Sequence, residues 1–328
     1  MKILIRLPNW LGDVVMSTAF VTAVRQLYPE ARIDVIIKKE LSSIAVFIPN
    51  LNKVYSFSKQ EYRGLNGVFR FGKALRPEKY DLFFCLPDSL SSAVMGWATM
   101  AKKRVGFGKE GRFFLLSKSY KKPPNVHRTD EYISLLEQFT SKRITERFVK
   151  LIVNETEPQD NTVIINFNSE AVSRRMPLDK GRLLMTTLMG TFKTAKFIVI
   201  GSPKEKEYVN ELINDVPNSN RIENYAGKTN LAELCGLMAS AKAVLTTDSG
   251  PAHLANALGV PTIVLFGAGN ELNTAPYNQQ FLRVLRAGKL ECEPCVRNTC
   301  KLYGIPKCMQ LLDEMEIINA LSLYLSHA

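Results

Sequence analysis

The chain has 328 residues, 46% of them apolar and 23% charged, which suffices for two domains with their own cores and excludes a disordered protein. No stretch approaches the roughly 18 apolar residues of a membrane span. The short apolar run at the N-terminus is broken by Pro8, Asn9, Gly12 and Asp13, which argues against a signal peptide and leads us to expect a cytoplasmic protein with reduced thiols.

In chain order, strand and helix alternate twice over. Lys2–Leu7 reads as a strand, and Val14–Leu27 as a helix with Val14, Thr18, Val21, Val24 and Leu27 on one face. Arg32–Ile37 is the next strand and Asp81–Leu86 a later, fully buried one. Val105–Phe107 and Phe114–Ser119 read as short strands at the far edge. A polar stretch, Asn154–Asp160, reads as a linker and divides the chain into domains 1–157 and 158–328. The second half has strands at Val163–Phe167, Lys196–Ile200, Ile222–Tyr225, Ala243–Thr246 and Thr262–Phe266, each separated by a helix. Asp313–Leu325 is a final helix that could cross back onto the first domain. This is an α/β pattern of two Rossmann-like domains facing a central cleft, with ligands at the carboxyl ends of the strands.

Four places carry chemistry. The loop after the first strand, Pro8-Asn9-Trp10-Leu11-Gly12-Asp13, has one glycine only, so it cannot wrap a pyrophosphate, but it offers a carboxylate at the start of a helix. Asp13 is either a helix cap or a general base; the helix end would lower its pKa and keep it ionised. The second place is Ala243–Gly267, where a buried strand leads into a helix starting at Pro251, capped by Asp248 or Ser249. Amides around Gly250, Ala252 and His253 then form an anion site. Third, nine basic residues lie between Ala101 and Arg128 (Lys102, Lys103, Arg104, Lys109, Arg112, Lys118, Lys121, Lys122, Arg128) against the acid Glu110. With a net charge of +12, this run is either a solvated face or a surface for an anionic partner. No recognition helix or stacking motif accompanies it, so no nucleic-acid partner is expected. Fourth, Cys292, Cys295, Cys300 and Cys308 form C-x2-C-x4-C-x7-C, read as a structural loop of reduced thiols, with a zinc site as the alternative. Cys85 and Cys235 lie in apolar runs and read as core.

The Asp248–Gly267 block, the Gly12-Asp13 loop, the Gly201-Ser202-Pro203-Lys204-Glu205 turn and Ala226-Gly227-Lys228-Thr229 together resemble glycosyltransferase family 9, and within it the ADP-heptose:lipopolysaccharide heptosyltransferase II branch. The resemblance extends over nearly the whole chain. It implies a GT-B fold and an inverting, metal-independent transfer of heptose from ADP-heptose to the lipopolysaccharide inner core, with no cofactor. Asp13 would deprotonate the acceptor. The family's basic Lys-Arg-Trp-Pro-like motif corresponds to Ser173-Arg174-Arg175-Met176-Pro177, so Arg174 and Arg175 would hold the donor phosphates, and Met176 replaces an aromatic surface. Ser169 would also reach phosphate. Glu205 would take the ribose hydroxyls, Asp248 the donor sugar, and Ser249, Gly250 and His253 the diphosphate. The first domain would receive the acceptor, with Lys102, Lys103 and Arg104 facing the phosphorylated core and the anionic inner face of the inner membrane. A family 9 transferase using another nucleotide sugar, and a nucleotide-sugar epimerase or hydrolase on the same fold, remain the alternatives.

Overall fold

Strands that are apolar on both faces demand cover on both sides, which a parallel sheet flanked by helices provides. The computed structural model describes residues 1–109, 111–154, 161–217 and 219–325. The chain falls into two compact units, Met1–Ile152 and Val153–Ala328. The expected boundary at 157/158, and all of the expected linker except Asn154, lie outside the described residues.

The first unit contains, in order, β1 (Lys2–Arg6), α1 (Leu11–Met16), α2 (Thr18–Leu27), β2 (Arg32–Lys38), β3 (Lys53–Phe57), α3 (Gly64–Ala74), β4 (Leu82–Cys85), α4 (Leu90–Ala98), β5 (Lys103–Phe107), β6 (Lys118–Tyr120) and α5 (Arg128–Thr140). Its sheet is parallel throughout, in the order β3-β2-β1-β4-β5-β6. The second unit contains β7 (Thr162–Asn166), α6 (Leu178–Thr191), β8 (Lys196–Val199), α7 (Lys206–Ile213), β9 (Ile222–Asn224), α8 (Leu231–Ser240), β10 (Ala243–Thr247), α9 (Gly250–Ala257), β11 (Thr262–Phe266), α10 (Glu271–Thr274), β12 (Leu282–Arg286), α11 (Lys307–Gln310) and α12 (Glu314–Ser322). Its sheet is β12-β11-β10-β7-β8-β9, again parallel. Counted from each unit's first strand, the two orders are the same doubly wound arrangement. The winding reverses between β1 and β4 and between β7 and β10, and these switch points are where such sheets bind ligands.

Four details depart from the sequence reading. The single helix expected over Val14–Leu27 is two, because the hydroxyls of Ser17 and Thr18 donate to the carbonyls of Val14 (2.7 Å) and Val15 (2.8 Å) and interrupt the ladder. The outermost strands β3 and β12 were not anticipated; both carry exposed residues and so lack an unbroken apolar run. Of Phe114–Ser119 only the end is strand, since Arg112–Leu115 forms a 3-10 turn around a fully buried Arg112. The final helix α12 sends Ile317, Ile318, Ala320 and Leu321 into the core of its own unit, beside α6, β11 and β12, so its apolar face is already covered there.

Helices α3 and α4 lie close enough that a Cβ at Gly72 would sit 2.4 Å from the Met95 carbonyl oxygen and 2.8 Å from the Ala98 Cβ. Gly72→Ala gains about 1 kcal/mol of helix propensity but forces two backbones apart, an overpacking that costs about 1–3 kcal/mol. The backbone contact wins, so a net loss and a lower Tm are expected by calorimetry; an unchanged or raised Tm would show that the helices separate freely.

Candidate functional site

In the first unit the carboxyl end of β1 is fixed by a buried arginine. Arg6 donates to the carbonyls of Leu7 (2.5 Å) and Ile36 (3.3 Å) and to Asn9 Oδ1 (2.6 Å), tying the loop that leads into α1. Asp13 is the third residue of that helix, whose N-cap is Trp10 without a side-chain capping bond, so Asp13 is not the cap. Its Oδ1 lies 3.5 Å from Arg128 Nε at the start of α5, and the Tyr132 hydroxyl also bonds to it. Burial pushes the Asp13 pKa up; the charge of Arg128 opposes that, Glu131 reinforces it, and Tyr132 and Lys122 oppose it. The net rise is opposite to the lowering expected from the helix end, and burial is its largest cause.

The basic run divides between the two ends of this sheet. Lys103 opens β5 and pairs in register with Leu82, the first residue of β4, so Lys102 to Arg104 sit at the amino end. Asp13 follows the carboxyl end of β1. The expected acceptor face of Lys102, Lys103 and Arg104 therefore lies at the opposite end of the sheet from Asp13. Lys102 is paired with Asp81 at 2.7 Å, and Arg104 donates to the carbonyls of Leu115 (3.0 Å) and Ala101 (2.9 Å). Lys103 lines a surface cavity of about 380 Å³ with Lys118 and Lys142. The cations that follow the carboxyl ends of β5 and β6 are Lys109, Arg112, Lys121, Lys122 and Arg128, of which Arg112, Lys122 and Arg128 are drawn into ion pairs. Arg112 is fully buried, donating to the carbonyls of Phe107 (2.8 Å) and Ser89 (3.3 Å) and facing Asp88 at 3.5 Å. Lys122 bridges Asp88 (2.7 Å) and Glu131 (2.6 Å). Chain order alone could not separate the two groups; strand direction does.

In the second unit the ends of β7 and β10 are pinned together. Asn166 Nδ2 donates to Ser249 Oγ (2.9 Å) and Thr246 Oγ1 (3.0 Å), while Thr247 Oγ1 donates to the Asn168 carbonyl (2.6 Å). Arg174, in the 3-10 turn Val172–Arg174, meets Asp248 at 3.1 Å. Arg175 donates to the Ser169 carbonyl (3.1 Å), and its guanidinium carbon lies 5.4 Å from the centre of the Tyr208 ring. Met176 is 1% exposed and packs in the core, so the aromatic surface beside the arginines is Tyr208. Asp248 is 3% exposed, and burial pushes its pKa up to about 6 against the opposing charges of Arg174 and Arg286. Ser249 is the N-cap of α9 but makes no side-chain bond to its amides, and the Ala252 amide already donates to the Ser249 carbonyl (3.1 Å). The anion site expected there is accordingly narrower than the sequence implies. His253 is buried. Glu205 closes a capping box, its Oε2 accepting from the Ser202 amide at 2.7 Å.

The cysteine-rich segment braces this site. The Ser173 amide donates to the Asn298 carbonyl (3.1 Å), and the Val296 amide to the Ala268 carbonyl (2.8 Å). Arg286, at the end of β12, binds the carbonyls of Gly267 and Gly269 and the carboxylates of Glu271 and Glu293. All six cysteines are unpaired. Among the described residues no group of three or more His, Cys, Asp or Glu side chains is arranged to hold a metal, so the zinc alternative finds no ligand set.

A model of glycosyltransferase family 9 (heptosyltransferase) matches residues 68–305. Lipooligosaccharide heptosyltransferase 2 of Campylobacter jejuni is 26% identical over 330 residues, 97% of this chain and 98% of that protein. Lipopolysaccharide heptosyltransferase 2 of Escherichia coli is 26% identical over 309 residues, 87% of this chain and 88% of that one. The solved structure of E. coli ADP-heptose lipopolysaccharide heptosyltransferase II matches with a TM-score of 0.83 at 22% identity, over 99% of this chain and 98% of that chain. The fold is GT-B, with two Rossmann-like halves.

Asp248 generates a pH prediction. A carboxyl whose pKa rises from 3.8 to about 6 on folding binds its proton more tightly in the native state. Its contribution to stability is present below pH 3.8 and is lost as the pH climbs through about 6, amounting to about 2–3 kcal/mol at roughly 1.4 kcal/mol per pH unit. Urea unfolding of wild type and Asp248→Asn at pH 4 and pH 7 isolates it: the wild type should lose more stability than the variant over that interval. Parallel pH curves would place Asp248 in a solvated setting.

Proposed function

The chain belongs to glycosyltransferase family 9 and is a glycosyltransferase, and from that premise we propose that it transfers heptose from ADP-heptose to the phosphorylated inner core of lipopolysaccharide, with inversion. The observation that carries this reading is the complementary chemistry of the two switch points. One holds a half-buried carboxylate with a raised pKa, the other two arginines and a helix start.

The acceptor hydroxyl gives its proton to Asp13 while its oxygen bonds to the anomeric carbon. The bond from that carbon to the diphosphate oxygen breaks on the opposite face, and ADP leaves with the electron pair. A carboxylate whose pKa lies nearer the working pH is a better base, and burial moves Asp13 in that direction. Negative charge growing on the diphosphate is met by Arg174, Arg175 and the start of α9 at Ser249 and Gly250, with Ser169 alongside. Fixed donors of this kind stabilise a leaving group without reorganising. Asp248 accepts from donor-sugar hydroxyls, Glu205 from the ribose, and His253 backs the diphosphate side of α9. This scheme calls for no cofactor and no metal, since two guanidinium groups supply the positive charge.

Among the described residues no helix is long and apolar enough to cross a membrane. The acceptor is nonetheless lipid-anchored, so the enzyme works peripherally at the cytoplasmic leaflet. In the first unit the exposed Phe113 and Phe114, flanked by Lys109 and Lys118, form the surface suited to that contact.

Asp13→Asn should lower kcat by about 10² or more while leaving ADP binding nearly unchanged; a variant with near-normal turnover removes Asp13 from the chemistry. Arg174→Ala should weaken ADP binding about tenfold or more by calorimetric titration. A thermal-shift series with ADP-, UDP-, GDP- and dTDP-sugars should give its largest stabilisation with the ADP-sugar. Consumption of donor without any acceptor, faster than transfer, would favour an epimerase or hydrolase instead.

A further inference from the structure

Asp13 ends a row of alternating charges: Asp13, Arg128, Glu131, Lys122, Asp88, Arg112. The links are unequal. Arg128 Nη1 donates to both oxygens of Glu131, at 3.0 and 2.8 Å. Toward Asp13 it presents only Nε, at 3.5 Å, a buried nitrogen with no hydrogen-bond partner. Glu131 is itself 6% exposed and held a second time by Lys122 at 2.6 Å. The guanidinium is thus drawn away from Asp13 by a stronger carboxylate partner just behind it.

A general base must be ionised before the reaction yet able to take a proton during it. A full ion pair with Arg128 would secure the first and defeat the second. We propose that Arg128 and Glu131 are an opposed pair of positioning residues: Arg128 keeps Asp13 charged and aimed, and Glu131 holds Arg128 short of a complete ion pair so that Asp13 stays basic. Lys122 serves the pair by keeping Glu131 in place, and Asp88 anchors Lys122 in turn. The groups facing Asp13 are Arg128, Glu131 and Tyr132 from α5 and Lys122 from the loop before it. Arg128 is the first residue of α5 and reaches Glu131 one turn on, so both charges stand on one rigid element. The direction of each influence on Asp13, downward from Arg128 and upward from Glu131, agrees with this geometry.

The proposal rests on Asp13 being the base, and its test separates the two claims. Arg128→Gln removes the holding charge, so the acid limb of the kcat/KM profile should move to higher pH by about one unit. Glu131→Gln frees the guanidinium to close on Asp13, so the limb should move to lower pH, with a several-fold drop in the plateau kcat as the base weakens. Arg128→Lys should restore part of the wild-type profile. A merely structural role would damage both variants in the same sense. The Asp13 carboxyl is also titrated directly by 13C NMR in each variant, with thermal melting to confirm folding, and this readout needs no catalysis. Opposite shifts support the proposal; equal, absent or same-direction shifts overturn it. If Asp13→Asn proves active, the base assignment fails whatever the NMR titrations give, and the positioning role falls with it.

Discussion

A parallel sheet sends every strand the same way, so each unit gathers all its strand ends on one edge, and on that edge charge must be buried without water to solvate it. The chain meets this constraint by giving the half-buried Asp13 and the buried Asp248 each a guanidinium partner. Asp13 faces Arg128 at 3.5 Å in the first unit, and Asp248 faces Arg174 at 3.1 Å in the second. In both, burial is the largest influence and pushes the pKa up while the arginine pulls it back. The same device is set differently. Asp248 has a second cation nearby in Arg286 and almost no exposure, which suits a fixed hydrogen-bond acceptor. Asp13 retains exposed side-chain surface and a weaker hold, which suits a group that must receive a proton from outside.

What could be read from the sequence follows what each feature depends on. Strands β1, β4, β7, β10 and β11 are central, covered on both faces, and announce themselves as unbroken apolar runs. Strands β3 and β12 lie at the sheet edges, where part of the surface meets solvent, and that signal dissolves. Asp248 was legible because it stands directly after a recognisable strand, and Asp13 because it lies in the first turn of the helix that the first strand leads into. Arg128 and Glu131 were not, because their meaning comes from a contact between α1 and α5 that no local pattern encodes. The place of Lys102, Lys103 and Arg104 was not legible for a related reason: composition records that charges are near in sequence, whereas the direction of β5 puts these three at the amino end.

Arg112 and Met176 show that residue type can mislead about environment. An arginine in a basic run reads as surface, yet Arg112 is fully buried and acts as a hub for backbone carbonyls at the ends of β4 and β5. Five donors on a planar group can satisfy several carbonyls while still facing Asp88, against the three of a lysine ammonium. Met176 stands where an aromatic surface was expected, but it is a core residue; the ring beside Arg175 comes from Tyr208, on α7. An aromatic surface beside the arginine turn is thus supplied by a side chain from a different element.

The segment after β12 follows the same logic with opposite appearance. Its cysteine spacing draws the eye, and its contacts with the site are made through backbone. Asn298 and Val296 tie the arginine turn and the loop after β11, and Arg286 holds that loop by two carbonyls. The loop includes Gly269, where a Cβ would lie 2.0 Å from Asp248 Oδ2, so its backbone is pressed directly against the buried carboxylate. Arg174 and Asp248 therefore share one frame: the turn that carries the first and the loop that walls the second are both fastened to this segment. A rearrangement of the cysteine loop would move Arg174 and uncover Asp248 together, because desolvation of that carboxylate depends on the loop staying closed against it.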